Sequence, residues 1–172
     1  MYAYEDLIER LRRLDEDASL TILDDNTYEC VIVGGGALIL MGFISRATQD
    51  IDVIHFTPAE LLRLMSKYDI NANVSAHLDC FPEDYYKRAK QIEIPTQKIV
   101  FYTLSLEDLV ISKLNSYRDK DIKDISEPRV LKDLNWNTLD QLAQEMEESL
   151  ISERLRSEFK HNYTEYVRRY RQ

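Results

Sequence analysis

Val33-Gly34-Gly35-Gly36-Ala37, followed by Gly42-Phe43-Ile44-Ser45-Arg46-Ala47-Thr48-Gln49-Asp50-Ile51-Asp52-Val53, decides how this chain is read. Thr27 to Val33 is rich in strand-favouring residues and runs into three glycines, so a strand entering a loop is expected. Ala37 to Met41 reads as a short helix opened by that loop and ended by Gly42. Ile51 to Phe56 reads as a second strand. If side chains alternate there, Asp50 and Asp52 project to one side while Ile51 points into the core. Two like charges held that close repel each other unless a cation lies between them. Oxygen ligands of this kind suit Mg²⁺, which takes one or two carboxylates and completes its shell with water and substrate phosphates. The glycines allow backbone N–H groups to approach an anion. An anion cradle beside a metal-holding acidic pair implies nucleotide chemistry.

Neither half of this pattern suffices alone. Gly34, Gly35 and Gly36 would also suit a tight turn that needs positive φ. They are not a Walker loop, because no Gly-Lys-Ser/Thr follows, and they lack the spaced glycines of a dinucleotide fingerprint. Acids at a strand entry are commonly surface residues. An acid–apolar–acid step is less common, because the carboxylates displace two strand-favouring side chains.

Arg46, just ahead of the acids, has a planar donor fork suited to neutralising a phosphate; a plain surface arginine is the alternative. Thr48 is better suited to fixing the turn through a side-chain-to-backbone hydrogen bond. A third strand is expected over Asn73 to Asp79. If it neighbours the second, Asp79 could join the acidic pair, binding metal or taking a proton from an attacking hydroxyl. The alternative for Asp79 is a cap on the following turn. His77 reads as a partly exposed strand residue. Further on, Lys113 follows an apolar helix face (Leu106, Leu109, Val110) and could reach a phosphate. Asp121 and Asp124 share one helix face. On spacing alone, a salt-bridged, solvated helix end is the stronger reading of that cluster. Tyr163, Tyr166 and Tyr170 stand at helical spacing and read as a packing stripe.

The rest of the chain sets the frame. A length of 172 residues fits one domain with a helical appendage, and 44% apolar residues suffice for a core. A net charge of −9 argues against a general nucleic-acid binder. The basic end Val167 to Arg171 reads as a solvated helix terminus whose cations favour the C-terminal dipole. Cys30 and Cys80 are read as reduced core residues; they form neither a disulfide framework nor a zinc spacing. Met1 to Arg13 is charged and amphipathic, unlike a signal peptide, and no apolar run approaches the ~20 residues of a membrane span. A cytoplasmic location is expected. Helices are expected over Tyr4 to Leu14, Ala59 to Tyr68 behind a Thr57-Pro58 start, and a short segment up to Arg88. Others are expected from Ser105 to about Tyr117, over Asp121 to Ile125, Thr138 to Leu150 and Ser152 to Tyr170. Strands are expected over Gln91 to Ile94 and Lys98 to Thr103. The fold class is α+β or α/β: a small mixed sheet flanked by helices, occupying residues 1–126, then a C-terminal helical extension over 127–172.

Gly35-Gly36-x-Ala-Leu, Gly42-x-x-x-Arg46-x-Thr48-x-Asp50-Ile51-Asp52, Leu104-Ser105-Leu106-Glu107-Asp108-Leu109-x-x-x-Lys113 and Arg118-x-Lys120-Asp121-x-x-Asp124-Ile125 occur in this order. Together they resemble the nucleotidyltransferase superfamily related to DNA polymerase β, closest to small prokaryotic proteins akin to AbiEii-type toxins. The resemblance covers roughly residues 28 to 125. It implies that Gly34, Gly35 and Gly36 hold a triphosphate, that Asp50 and Asp52 bind two Mg²⁺ ions (Mn²⁺ being the alternative), and that Asp79 is the third carboxylate. Lys113 with Asp121 or Asp124 matches the lysine and acidic motifs of the toxin-like members. Many superfamily members have serine as the second loop residue, where this chain has glycine, which removes one hydroxyl from phosphate binding.

The activity so implied is transfer of NMP from an NTP such as ATP to a hydroxyl of RNA, protein or a small molecule. A toxin held in check by a cognate antitoxin is one setting for it. A nucleotide-binding module without turnover is the alternative. The C-terminal helices are candidates for binding the acceptor or for forming an oligomer.

Overall fold

The computed structural model describes residues 3–54, 58–72 and 80–172. The chain divides into two compact units, Met1–Leu78 with Ala89–Leu104, and Asp79–Arg88 with Ser105–Gln172. The helix that begins after Ser105 therefore groups with the C-terminal helices.

The first unit is built on a mixed five-stranded sheet. Its elements are α1 (Tyr4–Thr21), β1 (Tyr28–Val33), α2 (Gly34–Leu40), β2 (Ile51–Ile54), α3 (Ala59–Lys67), β3 (Ile70–Asn71), β4 (Lys90–Gln91) and β5 (Ile99–Thr103). The strand order is β3-β2-β1-β5-β4. β1 lies at the centre, antiparallel to β2 and parallel to β5. Its Cys30, Val31, Ile32 and Val33 are all buried, as a strand covered on both faces requires. β5 alternates cleanly: Ile99, Phe101 and Thr103 are buried, while Val100 and Tyr102 are half-buried.

α1 runs seven residues past the expected Leu14. The apolar period continues through Ala18, and Leu7, Leu11, Leu14 and Ala18 have no exposed surface. Asp15 sits on that buried face. Its carboxylate accepts the backbone N–H groups of Gln97, Lys98 and Ile99 at 2.7–2.8 Å and so ties α1 to the start of β5. The expected strand over Gln91 to Ile94 shortens to Lys90–Gln91. Ile92 still donates to Phe101, but Ile94 then turns back on Ile92, and Pro95 has no N–H to offer a neighbouring strand. The strand expected over Asn73 to Asp79 lies outside the described residues. Ahead of it, β3 pairs in parallel with β2, Ile51 opposite Ile70 and Asp52 opposite Asn71.

The glycines expected in a loop instead form the first turn of α2. Only Gly34 takes a left-handed conformation, φ +66°. Gly36 is helical and buried, and a methyl group there would lie 3.8 Å from Ile32 and 3.9 Å from Ile51. Small residues let the helix begin directly against the two strands it connects. Gly42, at φ +78°, ends the turn after the helix, as the sequence suggests.

The second unit is helical: α4 (Tyr85–Arg88), α5 (Leu106–Ser116), α6 (Asp119–Ile125), α7 (Pro128–Asp133), α8 (Trp136–Ser149) and α9 (Glu153–Tyr170). Ser105 caps α5 by accepting from the Asp108 N–H, as its position before two acids suggests. Asp108 is fully buried and receives both arms of Arg88 at 2.8 and 2.9 Å. α7 was not expected; Pro128 at its first position starts it. The tyrosine stripe packs as expected: Tyr166 is buried, donates to the Ile125 carbonyl and meets the Tyr170 ring at a tilt. No helix among the described residues is long and apolar enough to cross a membrane.

Candidate functional site

Asp52 is the pivot of the first unit's candidate site. It stands on β2 with Val33 as its partner on one side and Asn71 on the other. Directly paired strand residues share a face, so Val33, Asp52 and Asn71 line up across three strands. Val33 is also the last residue of β1, and Gly34 follows it immediately. The register therefore delivers the Asp52 carboxylate to the glycine turn: a methyl group at Gly34 would come within 3.3 Å of Asp52 Oδ2. The other oxygen, Oδ1, accepts a hydrogen bond from Asn71 Nδ2 at 3.1 Å.

Arg46 reaches the same turn. A methyl group at Gly35 would lie 2.6 Å from Arg46 Nη2, so the guanidinium packs against bare backbone. Arg46 is exposed and also donates to the Ala47 carbonyl at 3.4 Å. The two half-buried glycines thus separate, by backbone alone, a carboxylate and a guanidinium. At Gly34 a side chain would press on Asp52 and meet an unfavourable backbone angle, whereas the exposed end of Arg46 could swing aside from one at Gly35.

Asp50 lies one residue before β2 and is exposed. Thr48 Oγ1 donates to the Asp50 carbonyl at 3.1 Å, the turn-fixing bond expected of it. Asp50 lines an open cleft of about 520 Å³ together with Gln49, Leu62, Ser66, Asp69 and Asn71. Asn71 is thus common to the cleft and to Asp52. Asp79 and His77 lie outside the described residues.

Lys113, Asp121 and Asp124 come together in the second unit. Lys113 Nζ donates to Asp121 Oδ1 at 2.8 Å and to Asp124 Oδ2 at 2.9 Å, and all three side chains are almost fully buried. Arg118 and Ser116 add hydrogen bonds to Asp121. Burial would raise the Asp121 pKa, but the bonds from Arg118 and Lys113 and the charge of Lys113 outweigh it and hold the carboxyl at about 2. The salt-bridged reading favoured by spacing is therefore the geometry observed, in a buried rather than a solvated setting. The ammonium expected to reach a phosphate is committed to two carboxylates.

Of the two cysteines, both are free thiols. Cys30 is buried as expected, its thiol pushed up to about 12 by desolvation, whereas Cys80 is only half-buried. Among the described residues, no group of three or more His, Cys, Asp and Glu side chains could hold a metal. The donors that sequence reading brought forward here are the pair Asp50 and Asp52. Asn71 was not anticipated. Its only sequence signal is the register of Ile70-Asn71 against Ile51-Asp52, which is invisible until the strands pair.

A central strand runs into a glycine-opened helix, and an antiparallel neighbour brings an aspartate back to that helix start, which makes this a mixed α/β protein with a carboxylate beside a glycine turn. The chain belongs to the family described as nucleotidyltransferase of unknown function (DUF6036), whose family model matches residues 9–171. At that coarse level it is a transferase acting on nucleotides. No curated protein and no solved structure matches the chain.

Proposed function

We propose that this chain transfers a nucleoside monophosphate from an NTP to a hydroxyl acceptor, with Mg²⁺ held at Asp50 and Asp52. The observation that supports this most directly is the placement of Asp52 Oδ2 against Gly34, beside the Gly35–Arg46 contact. The donor set fits a hard divalent cation. Both ligands are carboxylate oxygens, one half-buried and oriented by Asn71, the other exposed at the cleft where water can complete the shell. When bound, the metal supplies charge neutralisation for the attacking and leaving oxygens of an in-line displacement.

The protein's own groups do the positioning. Gly34 and Gly35 let the polyphosphate approach the backbone at the start of α2. Arg46, exposed beside Gly35, provides the cationic fork for the phosphate that leaves. The open cleft beside Asp50 leaves room for the acceptor to approach. The acceptor oxygen forms its bond to the α-phosphorus, the bond from that phosphorus to the α–β bridging oxygen breaks, and pyrophosphate departs. The acceptor's proton goes to a carboxylate, and Asp79 is the one the sequence resemblance offers for that role. Lys113, Asp121 and Asp124 act in this reading as the charge-balanced anchor of the helical unit.

The test is pyrophosphate release in the presence of Mg²⁺ and each NTP, with RNA and protein as acceptors. Turnover is expected to fall at least 100-fold in Asp50→Ala and in Asp52→Ala, with melting temperatures close to that of the unaltered protein. Turnover retained in both variants would refute the assignment.

A further inference from the structure

We infer that Asn71 is the positioning residue of this site, a neutral donor that orients the Asp52 carboxylate for a divalent cation. This rests on the nucleotidyl-transfer reading of Asp50 and Asp52 and adds a residue that nothing in the motif pattern assigns.

Three observations converge on it. The parallel register of β2 and β3 sets Asn71 directly beside Asp52. Its amide nitrogen donates to Asp52 Oδ1 at 3.1 Å, a bond between two part-buried side chains. Asn71 also lines the open cleft that Asp50 lines. A carboxylate can only accept, so the amide nitrogen, not its oxygen, must face Asp52.

The chemistry of an amide explains why this residue type suits the position. Asp52 lies two residues from a second negative charge and is partly removed from water. A lysine or arginine at 71 would satisfy it, but would also neutralise it and compete with a metal for the same oxygens. An amide supplies one hydrogen bond, fixes the plane of the carboxylate and leaves the formal charge of the acidic pair untouched. Outer-shell donors of this kind typically alter metal affinity or activity by about 10- to 100-fold when removed.

The experiment is a Mn²⁺ titration of the full chain without nucleotide, read by calorimetry or electron paramagnetic resonance, for the unaltered protein, Asn71→Ala, Asn71→Asp and Asp52→Asn. Asn71→Ala is expected to weaken Mn²⁺ binding about 10-fold or more. Asn71→Asp keeps the shape but replaces the donor with a third carboxylate. It should melt lower than the unaltered protein in EDTA and gain more in melting temperature from Mn²⁺. Asn71→Ala binding Mn²⁺ within twofold of the unaltered protein, while Asp52→Asn loses it, would overturn the role of Asn71 and leave the metal site standing. If Asp52→Asn itself binds as the unaltered protein does, the acidic-pair reading fails, and the two failures are told apart. Should Asn71→Ala not fold, Asn71→Asp decides: a Mn²⁺-dependent melting shift equal to that of the unaltered protein overturns the inference.

Discussion

Replacing Lys113 with methionine removes the one ammonium that two buried carboxylates share. Asp121 and Asp124 are held at 2.8 and 2.9 Å from Lys113 Nζ, with side chains only 1% and 2% exposed. Arg118 adds a second cation on Asp121. Methionine keeps most of the lysine's volume and removes the cation that both carboxylates share. Breaking a buried pair in this way costs roughly 3–5 kcal/mol, because the buried carboxylates lose a charged partner without regaining water. For a chain of 172 residues that corresponds to a fall in melting temperature of roughly 6–20 °C. The assay is thermal unfolding followed by circular dichroism at neutral pH. Adding Asp124→Asn to Lys113→Met removes one of the two carboxylates that the lysine paired and should recover part of the lost stability. The acid limb provides a cross-check. Asp121 is held at about 2 against an ordinary 3.8. A depressed carboxyl stabilises the fold above its unfolded pKa, and that stability is lost as pH falls. The gap of nearly two pH units is worth about 2 kcal/mol, fully present above roughly pH 4 and gone near pH 2. A Lys113→Met protein melting within 2 °C of the unaltered one, with nucleotide turnover abolished, would refute the anchoring role and restore Lys113 to the phosphate chemistry that its sequence position suggests.

Two further outcomes follow from contacts in the sheet unit. Asp15→Ala leaves the backbone N–H groups of Gln97, Lys98 and Ile99 without their carboxylate; it should lower stability in urea titration by about 3 kcal/mol, while pyrophosphate release per folded molecule stays unchanged. A melting point unaltered by Asp15→Ala would mean those groups find other partners at no cost. Gly34→Ala must adopt φ +66° and place a methyl group 3.3 Å from Asp52 Oδ2. The backbone term alone is about 1 kcal/mol, so turnover should fall much further than stability, and equal losses in both would argue against a functional turn.

Much of this protein was legible along the chain because its signals are local. The apolar period of α1, the Ser105 cap before two acids, the tyrosine stripe of α9 and the β-rich run into Gly34 each depend on residues a few positions apart. The same holds for the Thr48 bond to the Asp50 carbonyl, a two-residue contact. What the chain alone left open depends on pairing across long separations. A charged residue on a helix's apolar face looks like a misfit until Asp15 meets three N–H groups more than eighty residues away. The three glycines look like a loop, yet they form the first turn of α2, where Gly36 lies against Ile32 and Ile51. Lys113, Asp121 and Asp124 read as a salt-bridged, solvated helix end until the tertiary structure buries all three.

Residue type and short spacing thus determined that this chain would hold a strand–glycine–helix entry and an acid–apolar–acid step. Only the tertiary structure decided that Asp52 returns to Gly34, that Asn71 stands beside it and that Arg46 reaches Gly35. The physical reason is strand register. A period of two residues fixes which side chains share a face, but which residue lies opposite which is set by hydrogen bonds between strands, and no stretch of one strand contains that information.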